Sequence, residues 1–79
     1  MTNKEFREPL HASPFRAYTI CLADGRELRV VHPDFVAVGP QSREAVVYGE
    51  EGECNLIDLL LVVAIRIEGG PEMARHTPP

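Results

Sequence analysis

The spacing of apolar residues changes near Arg16, and that change divides the chain into two kinds of element. Before it, Phe6 and Leu10 lie four positions apart, which is typical of one side of a helix. After it, apolar and other residues alternate over Tyr18–Leu22, the period of a half-buried strand. We therefore expect a short helix over residues 3–12, followed by strands.

The predicted helix has a start signal and an internal obstacle. Asn3 or Thr2 can cap it, and Glu5 suits the positive end of the helix dipole in the first turn. Pro9 has no backbone N–H and clashes with the carbonyl four residues before it. We expect one or two turns.

Register decides the turn of the first hairpin. A two-residue loop would place the apolar side chains of the first strand on the face that carries Glu27. A three-residue loop pairs Leu22 with Arg26 and Ile20 with Leu28, which aligns the two apolar sets. This loop needs a left-handed residue at its end, and Gly25 stands there.

Short strands and turns follow the hairpin. His32-Pro33-Asp34 indicates a bend, because the residue before proline stays extended and proline suits a type I turn. We expect strands over residues 35–38 and 45–48, separated by a turn at residues 39–42. We expect residues 49–52 to form the tip of an acidic hairpin.

The run from residue 53 to residue 68 is too long for one strand. We expect a strand over residues 54–57, a tight turn over Leu59 and Leu60 capped by Asp58, and a last strand in which Val63, Ile65 and Ile67 alternate with polar or small residues. A continuous helix over residues 55–67 is the competing prediction. The density of β-branched residues favours the strand.

These elements predict a mainly β fold: a small five-stranded antiparallel SH3/Sm-like barrel with a short N-terminal helix. One domain would span residues 1–69, and residues 70–79 would form a disordered tail. The layout over about residues 5–68 is similar to the Sm-like and SH3-like class of small barrels. The likeness does not extend to the RNA-binding motifs of that class.

Four short motifs resemble those of a group of small uncharacterised bacterial proteins. They are Ser-Pro-Phe-Arg at 13–16, Leu-Ala-Asp-Gly-Arg at 22–26, His-Pro-Asp-Phe at 32–35 and Ile-Asp-Leu-Leu-Leu-Val at 57–62. Ala17 stands where a proline often follows the arginine. The resemblance implies membership of the group, but no function and no functional residue.

Composition narrows the class of protein. With 79 residues there is room for one modest core, and the net charge of -4 weakly repels phosphate backbones. Two cysteines, Cys21 and Cys54, are too few for a disulfide framework. The first eight residues carry charges and no apolar stretch, so we expect a cytoplasmic protein with reduced thiols.

Candidate chemistry is sparse. His32 with Asp34 and Cys54 could in principle form a nucleophilic site, but the first two residues are typical of a turn, and no oxyanion hole is evident. The candidate metal ligands lack the paired spacing of a zinc site; they are Cys21, Cys54, His11 and His32. We expect no enzyme, no metal and no cofactor.

Four arginines could contact a phosphate backbone: Arg26, Arg29, Arg43 and Arg66. Each lies close in the sequence to an acidic residue, so salt bridges on the outer strand faces are the favoured interpretation. Stacking aromatics are also few. An Sm-like protein that binds single-stranded nucleic acid is therefore the alternative function.

The apolar stretch from Ile57 to Ile67 suggests that the main function is contact with another protein chain. A small core should leave one or two of residues 59–62 exposed, and exposed apolar groups favour association. We expect a non-enzymatic protein-interaction module that self-associates or binds another protein. The expected contact residues are Leu61, Val62, Ala64 and Arg66, and the expected structural residues are Gly25, Pro33 and Asp58.

Overall fold

The computed structural model describes residues 1–69, so the predicted disordered tail at 70–79 lies outside the described residues. Within these residues one helix precedes six strands. The elements are α1 (Asn3–Leu10), β1 (Tyr18–Leu22), β2 (Glu27–Val30), β3 (Val36–Val38), β4 (Glu44–Tyr48), β5 (Cys54–Asp58) and β6 (Val62–Ile67). Two single-turn 3₁₀ helices, Pro33–Phe35 and Leu59–Leu61, precede β3 and β6.

The strands form two separate antiparallel sheets. The first sheet has the order β2-β1-β6, and the second has the order β3-β4-β5. The predicted five-stranded SH3/Sm-like barrel is therefore wrong: the described chain has six strands in two three-stranded sheets, and these do not close into a barrel. The mainly β class and the N-terminal helix are as predicted.

The 3₁₀ helices give the physical reason for this open arrangement. Pro33 has no N–H to donate to a ladder, and its turn, closed by the Phe35 N–H donating to the His32 carbonyl, separates β2 from β3. Asp58 begins the second turn by accepting the Leu60 N–H over 2.9 Å, which separates β5 from β6. Each turn interrupts the extended backbone where one continuous sheet would have had to bend.

The first hairpin has the predicted register. Tyr18 faces Val30 and Ile20 faces Leu28, while the Leu22 N–H donates to the Arg26 carbonyl over 2.9 Å. Gly25 has a φ of 94°, in the left-handed region that glycine alone adopts readily. The three-residue loop is confirmed.

Helix α1 is capped by Thr2 and attached to the second sheet. The Thr2 hydroxyl accepts the Glu5 N–H over 3.1 Å, and the Glu5 carboxylate accepts the Thr2 N–H over 3.0 Å, which makes a capping box. Asn3, the other candidate cap, instead donates from its side chain to the carbonyls of Gly39 and Ser42. The helix includes Pro9 and ends one residue later at Leu10, two residues short of the prediction.

The segment after residue 53 is strand, turn and strand, so the competing continuous helix is wrong. The last strand differs from the prediction in phase. An irregularity in its pairing with β1 lies between Cys21 and Leu22, and it brings Val62 opposite Leu22. The side chain of Val62 is consequently buried, whereas Val63, expected on the inner face, is 63% exposed.

Both sheets and α1 contribute to one hydrophobic core. Its largest fully buried side chains are Tyr18, Phe6, Ile20, Val30 and Val47. The Tyr18 hydroxyl has no hydrogen-bond partner within the described part of the chain. Burial raises the pKa of Tyr18 to about 12, because the phenolate would lose its hydration in the core.

The left-handed turn predicts the effect of Gly25→Ala. We expect the free energy of unfolding to fall by about 1–2 kcal/mol, because a side chain disfavours this backbone conformation. An added Cβ would meet nothing within 4 Å, so the loss would be conformational rather than steric. Urea unfolding measures it.

Gly39→Ala is the matched control. Its φ lies outside the left-handed region, and its Cβ would make only an ordinary contact of 3.8 Å with Ser42. We expect a change within about 0.5 kcal/mol. Equal losses at the two glycines would contradict the conformational explanation.

The buried hydroxyl predicts the effect of Tyr18→Phe. The folded-state pKa lies above the ordinary value of 10.0, so the unfolded chain loses its proton first as the pH rises. Wild-type stability should then fall by about 2 kcal/mol between pH 10 and pH 12. Tyr18→Phe should remove this loss and should be at least as stable as wild type at pH 7, because it deletes an unsatisfied buried group.

Thermal unfolding across pH 7–12 checks the prediction. Tyr48→Phe is the control, since that side chain is 47% exposed. If the stability of Tyr18→Phe still fell by the same amount at alkaline pH, the loss would have to come from another titrating group.

Candidate interaction surface

Strand β6 has an open backbone edge. Among residues 1–69 its hydrogen-bonded neighbour is β1 alone. The Glu68 N–H donates to the Ala17 carbonyl over 2.8 Å, which shows that the backbone of residue 68 is directed toward β1. In an antiparallel ladder this direction alternates, so the N–H and C=O groups of Ile65 and Ile67 are directed away from β1 and lie along the open edge.

Apolar side chains flank this edge. We use the name β6 surface for the large hydrophobic side chains that are exposed on the second 3₁₀ helix and β6, namely Leu60 (68% exposed), Leu61 (50%), Val63 (63%) and Ile67 (51%). They account for four of the six large hydrophobic side chains that are exposed in the described residues. Exposed apolar groups beside unpaired backbone are the features of a strand that can accept a partner.

The predicted contact residues lie in three different environments. Leu61 is exposed, as expected, and Ala64 is exposed on the outer face of the first sheet. Val62 is 4% exposed and belongs to the core, so its side chain is not available for contact. Arg66 is exposed, but its guanidinium is paired with Glu27.

Three members of the β6 surface were not among the predicted contact residues. Leu60 follows the buried Leu59. Residues 59–62 are all aliphatic, so the sequence does not show which of them the single-turn helix buries. Val63 was expected inside because strict alternation conceals the pairing irregularity. Ile67 is on the inner face, opposite Tyr18, but lies at the end of the strand and is incompletely covered.

A second open edge belongs to β5. Within the described chain, β5 pairs only with β4. The Gly49 N–H donates to the Glu53 carbonyl over 2.8 Å, so by the same alternation the backbone groups of Cys54 and Leu56 face outward. The Leu56 side chain is 70% exposed, the largest value among the exposed large hydrophobic residues.

The outer face of the first sheet is covered by charge pairs instead. Arg66 on β6 reaches across β1 to Glu27 on β2, with 3.1 Å between Nη2 and Oε1. Arg29 on β2 reaches Glu68 beyond β6, with 2.6 Å between Nε and Oε2. Thr19 lies beneath them at 8% exposed.

These pairs shift the acidities of their members. The hydrogen bond from Arg66 lowers the pKa of Glu27, and the hydrogen bond from Arg29 lowers the pKa of Glu68. The same bonds raise the pKa of each guanidinium. All four groups are exposed, so the pairs contribute little to stability and mainly organise the surface.

Every arginine considered for nucleic-acid contact has a carboxylate partner. Besides the two pairs described, Arg26 Nε lies 2.9 Å from Asp24 Oδ2, and Arg43 Nη2 lies 3.7 Å from Asp58 Oδ2. The pairs of Arg29 and Arg66 lie on the outer face of the first sheet, as predicted, whereas Arg26 is paired within the hairpin loop and Arg43 lies just before β4. Nucleic-acid binding stays a prediction, with a weaker electrostatic basis because these cations are already engaged.

The residues considered for catalysis either cap a turn or are free thiols. His32 Nδ1 accepts the Asp34 N–H over 3.1 Å and so caps the first 3₁₀ helix, in which Pro33 occupies the first turn. Cys21 and Cys54 are free thiols. In residues 1–69 no group of three His, Cys, Asp or Glu side chains is arranged to hold a metal ion.

No helix within the described residues has the length and apolar character needed to cross a membrane. Comparison with protein-family models, curated proteins and solved structures finds no match to this chain. The likeness to small uncharacterised bacterial proteins therefore stays a prediction.

The cross-strand pair predicts the effect of Arg66→Gln. We expect the pKa of Glu27 to rise toward its ordinary value of 4.5, because the neutral amide no longer favours the carboxylate. Carbon-detected NMR titration of the side-chain carboxyl measures this change.

Arg16→Gln is the control, since it removes a positive charge outside the pair. It should leave the Glu27 titration unchanged. An equal rise in both variants would indicate a general charge effect rather than the hydrogen bond.

Proposed function

We propose that this chain is a non-enzymatic protein-interaction module that self-associates through the β6 surface. The single observation that carries the proposal is the coincidence of an open backbone edge with exposed apolar side chains on the same strand. A second chain that adds a strand at this edge would satisfy the outward N–H and C=O groups of Ile65 and Ile67. It would also remove the flanking apolar side chains from water.

Edge protection supports the choice of this strand. Soluble proteins commonly guard an edge strand with lysine, proline or an inward-pointing charge. β6 contains neither lysine nor proline, and its one charged residue, Arg66, is on the outer face and is held by Glu27. From Ala64 to Ile67, beyond the pairing irregularity at Val63, the edge therefore carries none of these guards.

The size of the domain supports association of like with like. Within residues 1–69 the core has twelve buried hydrophobic residues, which gives modest stability. Binding of a second folded copy stabilises the folded state by mass action, and the protein's own concentration supplies that partner. A second copy of the chain presents the same β6 surface, with apolar side chains beside unpaired backbone groups, and so is itself a suitable partner.

Substitution of the β6 surface tests the proposal. Wild type should sediment with an average mass that rises with concentration from the monomer value of 8.8 kDa. Leu61→Glu and Val63→Glu should each weaken association at least about tenfold, because a carboxylate would lose its water on contact. Both residues are exposed, so the monomer should still fold.

Ala37→Glu is the matched control. Ala37 is an exposed strand residue on β3, and the substitution adds the same charge away from the β6 surface. It should associate as wild type does. A wild-type mass that stays at the monomer value at all concentrations would refute self-association.

A further inference from the structure

The outer face of the second sheet is apolar, whereas ion pairs cover the outer face of the first. Residues directly opposite one another in a ladder share a face, so Ala37, Val46 and Leu56 form one row across β3, β4 and β5. Tyr48 and Cys54 form the next row. We use the name β4 face for these five side chains. Leu56 and Tyr48 are the only large hydrophobic side chains exposed in residues 1–69 outside the β6 surface.

The first row of the β4 face lines a depression together with residues of two other segments. Leu10 and His11 line it at the end of α1, and Ser42 and Glu44 line it at the start of β4. Folds built of layers bury an apolar sheet face against a further layer, most often a helix. Within the described chain this face has no such cover, since Leu56 is 70% exposed.

The β4 face is bordered by carboxylates. Glu44 lies on the outer face at the start of β4, and it has no ion-pair partner among residues 1–69. The hairpin tip beyond the other end of β4 contains Glu51 and Glu53, which also lack ion-pair partners in that range. Arg43, the cation next to Glu44 in the sequence, is engaged by Asp58. A partner with cationic groups therefore complements this face.

We infer that the β4 face binds an amphipathic helix of another protein, with an apolar side and with lysine or arginine near its two ends. The surface and the partner both differ from those of the proposed self-association, and neither interaction depends on the other. The backbone groups of the second sheet lie in the plane of its ladders. An occupant above the face cannot pair with them and must satisfy its own backbone, which a helix does.

The dimensions of the β4 face indicate the length of the helix. From Glu44 to Tyr48 the strand extends about 14 Å, at about 3.4 Å per residue. A helix rises about 1.5 Å per residue, so basic residues about nine positions apart reach both ends of β4. Apolar residues three or four positions apart between them would meet the row that contains Val46.

A second copy of the chain is a poorer occupant of this face. Two β4 faces in contact would bring carboxylates against carboxylates, and the net charge of each chain is -4. The one helix in the described residues, α1, buries Phe6 and Leu10 in its own core. It therefore has no apolar side to offer to a neighbouring copy.

Two synthetic helices test the inference. Both are alanine-based peptides of about 18 residues with leucines on one side, and one has lysine near both ends where the other has glutamate. NMR titration follows binding to the Leu61→Glu chain, so that contact through the β6 surface does not interfere. We expect the lysine peptide to bind about tenfold more tightly than the glutamate peptide, with shift changes centred on the β4 face. Its affinity should fall as salt is raised.

Variants of the β4 face, made in the same chain, locate the binding site. Leu56→Glu should weaken binding of the lysine peptide at least about tenfold, because a carboxylate would lose its water on contact. Circular dichroism verifies folding, and Ala37→Glu, also at an exposed position, replaces this variant should it unfold. Glu44→Lys should shift the preference toward the glutamate peptide. Val63→Glu is the matched control: it adds the same charge on the β6 surface and should leave peptide binding unchanged.

The outcomes separate this inference from the proposed self-association. Equal affinity for the two peptides, no binding of either, or shift changes confined to the β6 surface would overturn the inference and leave self-association intact. Loss of self-association in Leu56→Glu, made in the wild-type chain, would assign the β4 face to a second copy and overturn it as well. Selective binding of the lysine peptide by a wild type that is monomeric at every concentration would support the inference and refute self-association.

Discussion

The first sheet and most of the core depend on the pairing of strand β1, which forms hydrogen bonds with β2 on one side and with β6 on the other. Its inner residues Tyr18 and Ile20 are fully buried, and each is matched by an apolar residue on β2 and on β6. A strand of five residues thereby sets the register of its two neighbours at once. In the part of the chain that the structure describes, β2 and β6 pair only with β1, so the position of β1 determines which of their backbone groups stay unpaired.

Local chemistry explains what the sequence could predict. The hairpin register followed from the requirement that apolar sets align and from one left-handed glycine, Gly25, and the turn before β6 followed from the cap at Asp58. These features depend on residues within a few positions of each other. The joining of β2 to the second sheet does not: the bend at Pro33 was predictable, but whether the strands on its two sides belong to one sheet depends on pairing between residues that are distant in the sequence.

The candidate surface was predictable only in part, for a related reason. The excess of apolar residues after Ile57 indicated that some leucines must be exposed, and Leu60 and Leu61 are. Which aliphatic side chains are exposed depends on a single-turn helix and on the irregular pairing opposite Leu22. Neither feature is visible in the spacing of apolar residues along the sequence. Strict alternation therefore assigned Val63 to the core, although it is exposed.

The surface of this small domain is divided by chemistry. On the outer face of the first sheet, arginines and glutamates form ion pairs such as Arg66 with Glu27. The opposite charges neutralise each other and leave little net attraction for a charged ligand. Open backbone edges and exposed apolar side chains are found together at β5 and β6. Since backbone groups at an edge specify direction and apolar side chains supply most of the driving force, a strand from another chain fits this division better than a small polar ligand does.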